Sequence, residues 1–147
     1  MTPAARTHRV GAICLALLLC ACEATLAPYR ESGHDRVGEE LRDFERALRS
    51  RNSQRVESFF SSETYGGPVE IRNRIEDSWR NERLLQIQFI VNRVQERDGL
   101  LNAQVRWNKS YLDNAGKPQK KSGVSEFILK PQGESFRILS ISGDPLF

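Results

Sequence analysis

Ile71-Arg72-Asn73-Arg74-Ile75-Glu76-Asp77-Ser78-Trp79-Arg80-Asn81-Glu82-Arg83-Leu84-Leu85-Gln86-Ile87-Gln88-Phe89-Ile90-Val91-Asn92 contains a change of hydrophobic period. Ile71, Ile75 and Trp79 recur at helical spacing. From Leu85 onward Leu85, Ile87, Phe89 and Val91 alternate with Gln86, Gln88, Ile90 and Asn92, as in a strand with one strongly apolar face. A helix thus feeds directly into a strand, and each side of this junction extends its own pattern.

Upstream the pattern is helical. The helix before the junction begins at Gly67-Pro68-Val69-Glu70, where proline suits the first helical position and Glu70 the first turn, and runs to Asn81. A shorter helix capped by Asn52 or Ser53 presents Val56, Phe59 and Phe60 before Ser61-Ser62 ends it. Before that, from Asp35, Val37, Leu41, Phe44 and Leu48 share one face, with Glu39, Arg42, Glu45 and Arg49 on the other. Downstream the pattern is that of strands. Asp98-Gly99 makes a tight hairpin turn into a strand with Leu101, Ala103, Val105 and Trp107 on one face and Asn102, Gln104, Arg106 and Asn108 on the other. A polar loop, Asp113 to Ser122, leads to a third strand around Gly123 to Lys130, and Pro131-Gln132-Gly133-Glu134 turns into a fourth, Phe136 to Ser142. The class is α+β, with three N-terminal helices packed on a curved, mainly antiparallel sheet of four or more strands.

The N-terminus is a separate matter. Arg6 and Arg9 precede a short apolar stretch, Val10 to Leu19, that closes on Leu19-Cys20-Ala21-Cys22. The stretch is short for a membrane span, which needs roughly 20 apolar residues. It resembles the signal of a bacterial lipoprotein precursor, with the small Ala21 before Cys22; Cys20, preceded by three leucines, is the weaker site. The resemblance implies cleavage of residues 1–21, a lipid (palmitate-type acyl) anchor on Cys22, a tether over 22–34 and a folded domain over 35–147. It also implies an address in the bacterial cell envelope, on the extracytoplasmic side, with inner and outer membrane left open. An ordinary secretory signal and an uncleaved anchor are the alternatives.

Cleavage would simplify the chemistry. The chain has 22 Lys and Arg against 19 Asp and Glu. Residues 1–21 hold Arg6, Arg9 and no acid, so the remainder is nearly neutral, at +1. A nucleic-acid partner, which wants a basic excess on one face, is not expected. Beyond Cys22 there is no cysteine, and His34 is the only histidine. Disulfides, Cys/His metal sites, cysteine nucleophiles and Ser-His-Asp triads are thereby excluded from the domain, and no cofactor motif is present. Residues 22–147 suit a single domain burying about two-thirds of its unfolded surface.

The domain resembles the nuclear-transport-factor-2-like superfamily, the cone fold that includes ketosteroid isomerases and polyketide cyclases. The residues carrying the likeness are Leu41-x-x-Phe44-x-x-x-Leu48, the aromatic end of the second helix, Tyr65 before Gly66-Gly67, and Ile71-x-x-x-Ile75-x-x-x-Trp79. Phe136-Arg137-Ile138-x-x-Ile141-x-Gly143-Asp144 is similar to the closing strand of such domains. The resemblance implies a cone with a cavity between helices and sheet. It carries no catalytic signature to particular positions of this chain, and the superfold hosts enzymes and binding modules alike.

Several candidate sites follow. Tyr65, Trp79, Phe89, Trp107 and Tyr111 are the aromatics expected to line the cavity and contact a small hydrophobic ligand, or else to fill it as core. Glu126 and Asp144 are the carboxylates available for acid–base work, Glu126 on either face of its strand and Asp144, before Pro145, more simply a turn residue. Gln86, Gln88, Asn102, Gln104, Arg106 and Asn108 form a polar face with one formal charge, where a solvent face would carry more Lys and Glu. Such a face fits an interface with a second copy or another envelope protein. Lys117, Lys120 and Lys121 sit in the expected loop and suit either anionic head groups or solvent. The leading expectation is a membrane-anchored, non-enzymatic binding or assembly module. A cavity enzyme of isomerase, cyclase or epoxide-hydrolase type and a passive dimeric scaffold are the alternatives.

Overall fold

The computed structural model describes residues 33–147, and Cys22 with the rest of the signal-like segment lies outside them. Three helices, α1 (Gly33–Arg49), α2 (Ser53–Glu57) and α3 (Gly67–Asn81), precede four strands. These are β1 (Arg83–Arg97), β2 (Leu100–Leu112), β3 (Pro118–Gln132) and β4 (Ser135–Gly143). They form one antiparallel meander in the order β1-β2-β3-β4. Three helices on a curved four-stranded sheet is the expected α+β architecture.

Helix α1 buries Val37, Leu41, Phe44, Ala47 and Leu48, the stripe its spacing predicts. It starts at Gly33, so Gly33 and His34 belong to the helix and not to the expected tether. The cause is local. The His34 Nε2 donates to the Val91 carbonyl at 3.0 Å, and the Phe89 N–H donates to Glu45 Oε1, so the helix satisfies backbone groups along the outer edge of β1.

Helix α2 is capped as expected, with Asn52 Oδ1 accepting the Arg55 N–H at 2.9 Å. It ends at Glu57, leaving Phe59 and Phe60 beyond it. Phe60 instead forms a parallel bridge to Ile138, where the Ile138 N–H donates to Phe59 O at 2.8 Å and the Ser61 N–H to Ile138 O at 2.9 Å. The edge of β4 is covered this far. Pro68 stands in the first turn of α3 after Gly66, whose φ of +78° lets the chain turn into the helix.

One face assignment is corrected. The alternation puts Leu85 inward with Ile87 and Phe89, but a bulge between Leu84 and Gln86 inserts an extra residue. Leu84 therefore packs on the core and Leu85 is 45% exposed. The expected loop is also shorter, because Leu112 pairs with Pro118 and the turn spans only Asp113 to Lys117. Asp113 organises it, accepting the Ala115 and Lys117 N–H groups at 2.9 Å each and the Gln119 amide at 3.0 Å. Lys120 and Lys121 consequently lie on β3.

The core is held by phenylalanines. Phe44 of α1 stacks on Phe89 at 5.8 Å, meets Phe59 at 5.3 Å and Phe60 at 5.8 Å, and Phe89 meets Phe127 edge-on at 5.9 Å. Each such pair contributes about 0.5–1.5 kcal/mol beyond burial. Phe44 thus ties both other aromatic segments to the sheet.

Candidate functional site

The five aromatics singled out as cavity lining do not form one wall. Tyr65 is 91% exposed, so it borders a cavity at its open rim and is no part of the core; the neighbouring Thr64 is the buried one, its hydroxyl donating to Ile138 O at 2.8 Å. Phe89 belongs to the phenylalanine cluster, and Trp107 is buried with its Nε1–H donating to Ser125 Oγ at 3.0 Å. Trp79 is partly buried against the core. Tyr111 is buried at the other end of the sheet, with the ammonium groups of Lys109 and Lys121 each 5.3 Å from its ring centre.

Two cavities flank the segment that follows β4. One, of about 240 Å³, lies between Tyr65, Ile71 and Arg74 on one side and Leu139 to Asp144 on the other. The second, of about 10 Å³, is lined by Leu48, Trp79, Leu84, Ile87, Glu82 and Lys109. Leu146 and Phe147 line both. Gly143 directs this segment inward: its φ is +100°, and a Cβ there would fall 2.7 Å from Val124 O. The Asp144 N–H then donates to Val124 O at 3.0 Å and Asp144 O accepts from Ser125 Oγ at 2.9 Å. Leu146 ends up buried.

A buried ionic group stands at the smaller cavity. Lys109 follows Leu101, Ala103, Val105 and Trp107 on the inward parity of β2, and its side chain is 5% exposed. Its Nζ donates to Glu82 Oε2 at 2.6 Å and to Leu146 O at 3.1 Å, while Lys121 Nζ reaches Glu82 Oε1 at 3.2 Å. Burial pushes the Glu82 carboxyl up, but the hydrogen bonds and charges of Lys109 and Lys121 outweigh it and hold it below the usual value. The Lys121 ammonium is raised, chiefly by its bond to Glu82 and then by Tyr111. Neither Lys109 nor Glu82 was singled out from the sequence. The signal for Lys109 is its parity, since it occupies the inward slot between Trp107 and Tyr111.

The candidate carboxylates take other places. Glu126 is exposed on the outer face, in register with Gln104 and Ser142. Asp144 accepts the Val124 N–H at 2.8 Å and closes the turn after β4. The carboxyls displaced upward are Glu40 and Glu45 of α1, in both cases chiefly by burial. Each also accepts a backbone N–H, from Phe136 and Phe89 respectively, and neither lines the two cavities.

The polar face is continuous. Gln88 and Asn108 are cross-strand partners, as are Ile90 and Arg106, and Arg106 in turn faces Val124. Gln104 lies between Arg93 and Glu126, and Asn102 between Gln95 and Ile128. Gln86, Gln88, Arg106 and Asn108 are exposed and Asn102 and Gln104 half-buried. Among the described residues none of these six side chains has a hydrogen bond or ion pair. The outward Leu85 and the 41% exposed Val124 add apolar area, while the bulge between Val91 and Arg93 gives Arg93 the outward slot expected of Asn92. Amides, the guanidinium groups of Arg93 and Arg106, the Glu126 carboxylate and aliphatic side chains share one surface, which corrects the expectation of a single formal charge.

No protein-family model matches the chain, and no curated protein matches it in sequence. Its shape is similar to several solved structures. A conserved protein from Planctomyces limnophilus superposes with a TM-score of 0.62 at 10% identity, over 73% of this chain and 92% of that one. An NTF2-like superfamily protein from Salmonella enterica serovar Typhimurium gives 0.60 at 14%, over 76% and 91%. A ketosteroid isomerase-like protein from Erwinia carotovora atroseptica gives 0.62 at 10%, over 76% and 94%. The domain therefore has the nuclear-transport-factor-2-like cone fold, a fold shared by isomerases and binding modules.

Proposed function

We propose that this chain is a lipid-anchored binding or assembly module of the cell envelope that engages a protein partner, in the simplest case a second copy of itself, through the outer face of its sheet. The observation that carries this reading is the face around Arg106, where six polar side chains, without partners among the described residues, lie with Arg93, Glu126 and the exposed Val124 on one surface. Interfaces of this kind combine amide and Arg chemistry with apolar area and are depleted in Lys and Glu. The anchor is the lipid expected on Cys22, which would hold the domain outside the cytoplasm.

Sedimentation of the full chain in detergent tests the face. Arg106→Glu with Gln104→Glu places like charges beside Glu126 and is expected to lower the self-associated mass or abolish partner capture; an unchanged mass and unchanged capture count against the proposal. Labelling in cells with a clickable palmitate analogue tests the anchor. Cys22→Ser is expected to lose both label and membrane partition, and Cys20→Ser to keep them.

A further inference from the structure

Leu146 and Phe147 stand in the wall of both cavities. On one side are Ile71, Tyr65 and Arg74, and on the other Trp79, Leu84 and Ile87. Beyond Asp144, the Leu146 carbonyl accepts a hydrogen bond from Lys109 Nζ at 3.1 Å. The segment thus presents two apolar side chains to the cavities, and its Leu146 carbonyl meets an ammonium group.

The charge at that meeting point is incomplete. Lys109 and Lys121 share one carboxylate, Glu82, and a neutral carbonyl takes a second of the three donors of Lys109. A carboxylate in place of the Leu146 carbonyl would balance the second ammonium and form a charge-assisted bond, about twice as strong as a neutral one. The walls leading away from it are hydrocarbon and indole. A peptide entering there would bring N–H groups to a site where Glu82, the nearby anionic acceptor, is already engaged by two lysines; a hydrocarbon chain brings none.

We propose that the space held by Leu146 and Phe147 is a binding site for a linear carboxylate amphiphile of the fatty-acid class, with Lys109 receiving the head group and these two residues as the resident occupant. The site is separate from the outer face, so its failure would leave the interface proposal standing. Both residues would swing out about the Gly143 bend, opening a channel from Lys109 past Trp79 to Ile71.

The two tryptophans of the chain provide the readout, Trp79 at the cavity and Trp107 buried in the core. The full chain is titrated with bromoundecanoate, bromoundecanol and an acetylated Asp-Pro-Leu-Phe peptide in one detergent, so that partition into micelles is common to all arms. Saturable quenching by the carboxylate is expected, tightened about tenfold in a Leu146→Ala, Phe147→Ala variant and weakened about tenfold in Lys109→Met. Glu82→Gln, which keeps an acceptor for Lys109 and removes the competing charge, is expected to tighten carboxylate binding and leave the alcohol unaffected. Absence of saturable quenching in the Leu146, Phe147 variant overturns the proposal. Equal quenching by the alcohol, or protection by the peptide of a site the carboxylate does not occupy, overturns it as well.

Discussion

The indole of Trp107 fills the space that a side chain on its cross-strand partner Gly123 would need: a Cβ there would fall 2.6 Å from Cζ2 and 2.6 Å from the Cβ of Asp144. The glycine at this point of β3 is the counterpart of the tryptophan, and through Ser125 the same indole is linked to Asp144 and the turn after β4. Gly123→Ala is expected to destabilise the domain by about 1–3 kcal/mol through overpacking. Urea unfolding followed by circular dichroism checks it, and a midpoint equal to the parent's would show that the indole can move aside.

The two lysines on Glu82 differ in depth, and their removal should differ accordingly. Glu82→Ala strands the buried Lys109 and is expected to cost about 3–5 kcal/mol. Lys121→Ala removes the 54% exposed partner and is expected to cost less than about 1 kcal/mol. Paired denaturation curves separate the two; equal losses would mean that the exposed lysine carries the pair.

Glu82 and Glu45 should respond to pH in opposite directions. The carboxyl of Glu82 is held low, so its contribution is present above its unfolded value and lost as pH falls through the lowered folded one. Burial holds Glu45 high, so the stability linked to it is full below the unfolded value and lost as pH rises through the raised one. Glu45→Gln keeps a carbonyl for the Phe89 N–H and removes the desolvated charge. Thermal midpoints between about pH 3 and about pH 8 should show this variant at least as stable as the parent near neutrality, with its advantage shrinking in acid. A variant destabilised equally at every pH would place the role of Glu45 in its shape.

The bulge in β1 makes neighbouring leucines unequal. Leu84→Ala is expected to cost about 2 kcal/mol or more, and Leu85→Ala to stay within about 0.5 kcal/mol of the parent. Equal costs would place both side chains in the core.

The same pair shows how far the sequence can be read. Helix α1 and the inward series of β2 are legible because a single period runs unbroken through Val37 to Leu48 and through Leu101 to Trp107. At Leu84-Leu85 two apolar residues are adjacent, and parity alone does not say which one the bulge will turn inward. Lys109 was legible by parity but not by chemistry, because a lysine is placed inside only when a partner awaits it. That partner, Glu82, ends a helix 27 residues away. Tyr65 stands at the open rim of a cavity and outside the core, and residue type gives no warning of that. The amides of the outer face are legible as a row, but its other members, Arg93, Glu126, Leu85 and Val124, emerge only with the register.

His34 and Glu45 close the margin of β1, and the segment around Phe60 closes that of β4 as far as Ile138. The sheet is therefore open in outline but shielded against growth along its first margin. A protease cut within α1 would cost more than a helix, because the stripped strand would be free to recruit the same strand from other molecules. Limited digestion should accordingly turn a well-behaved domain into a precipitating one before the core itself is degraded.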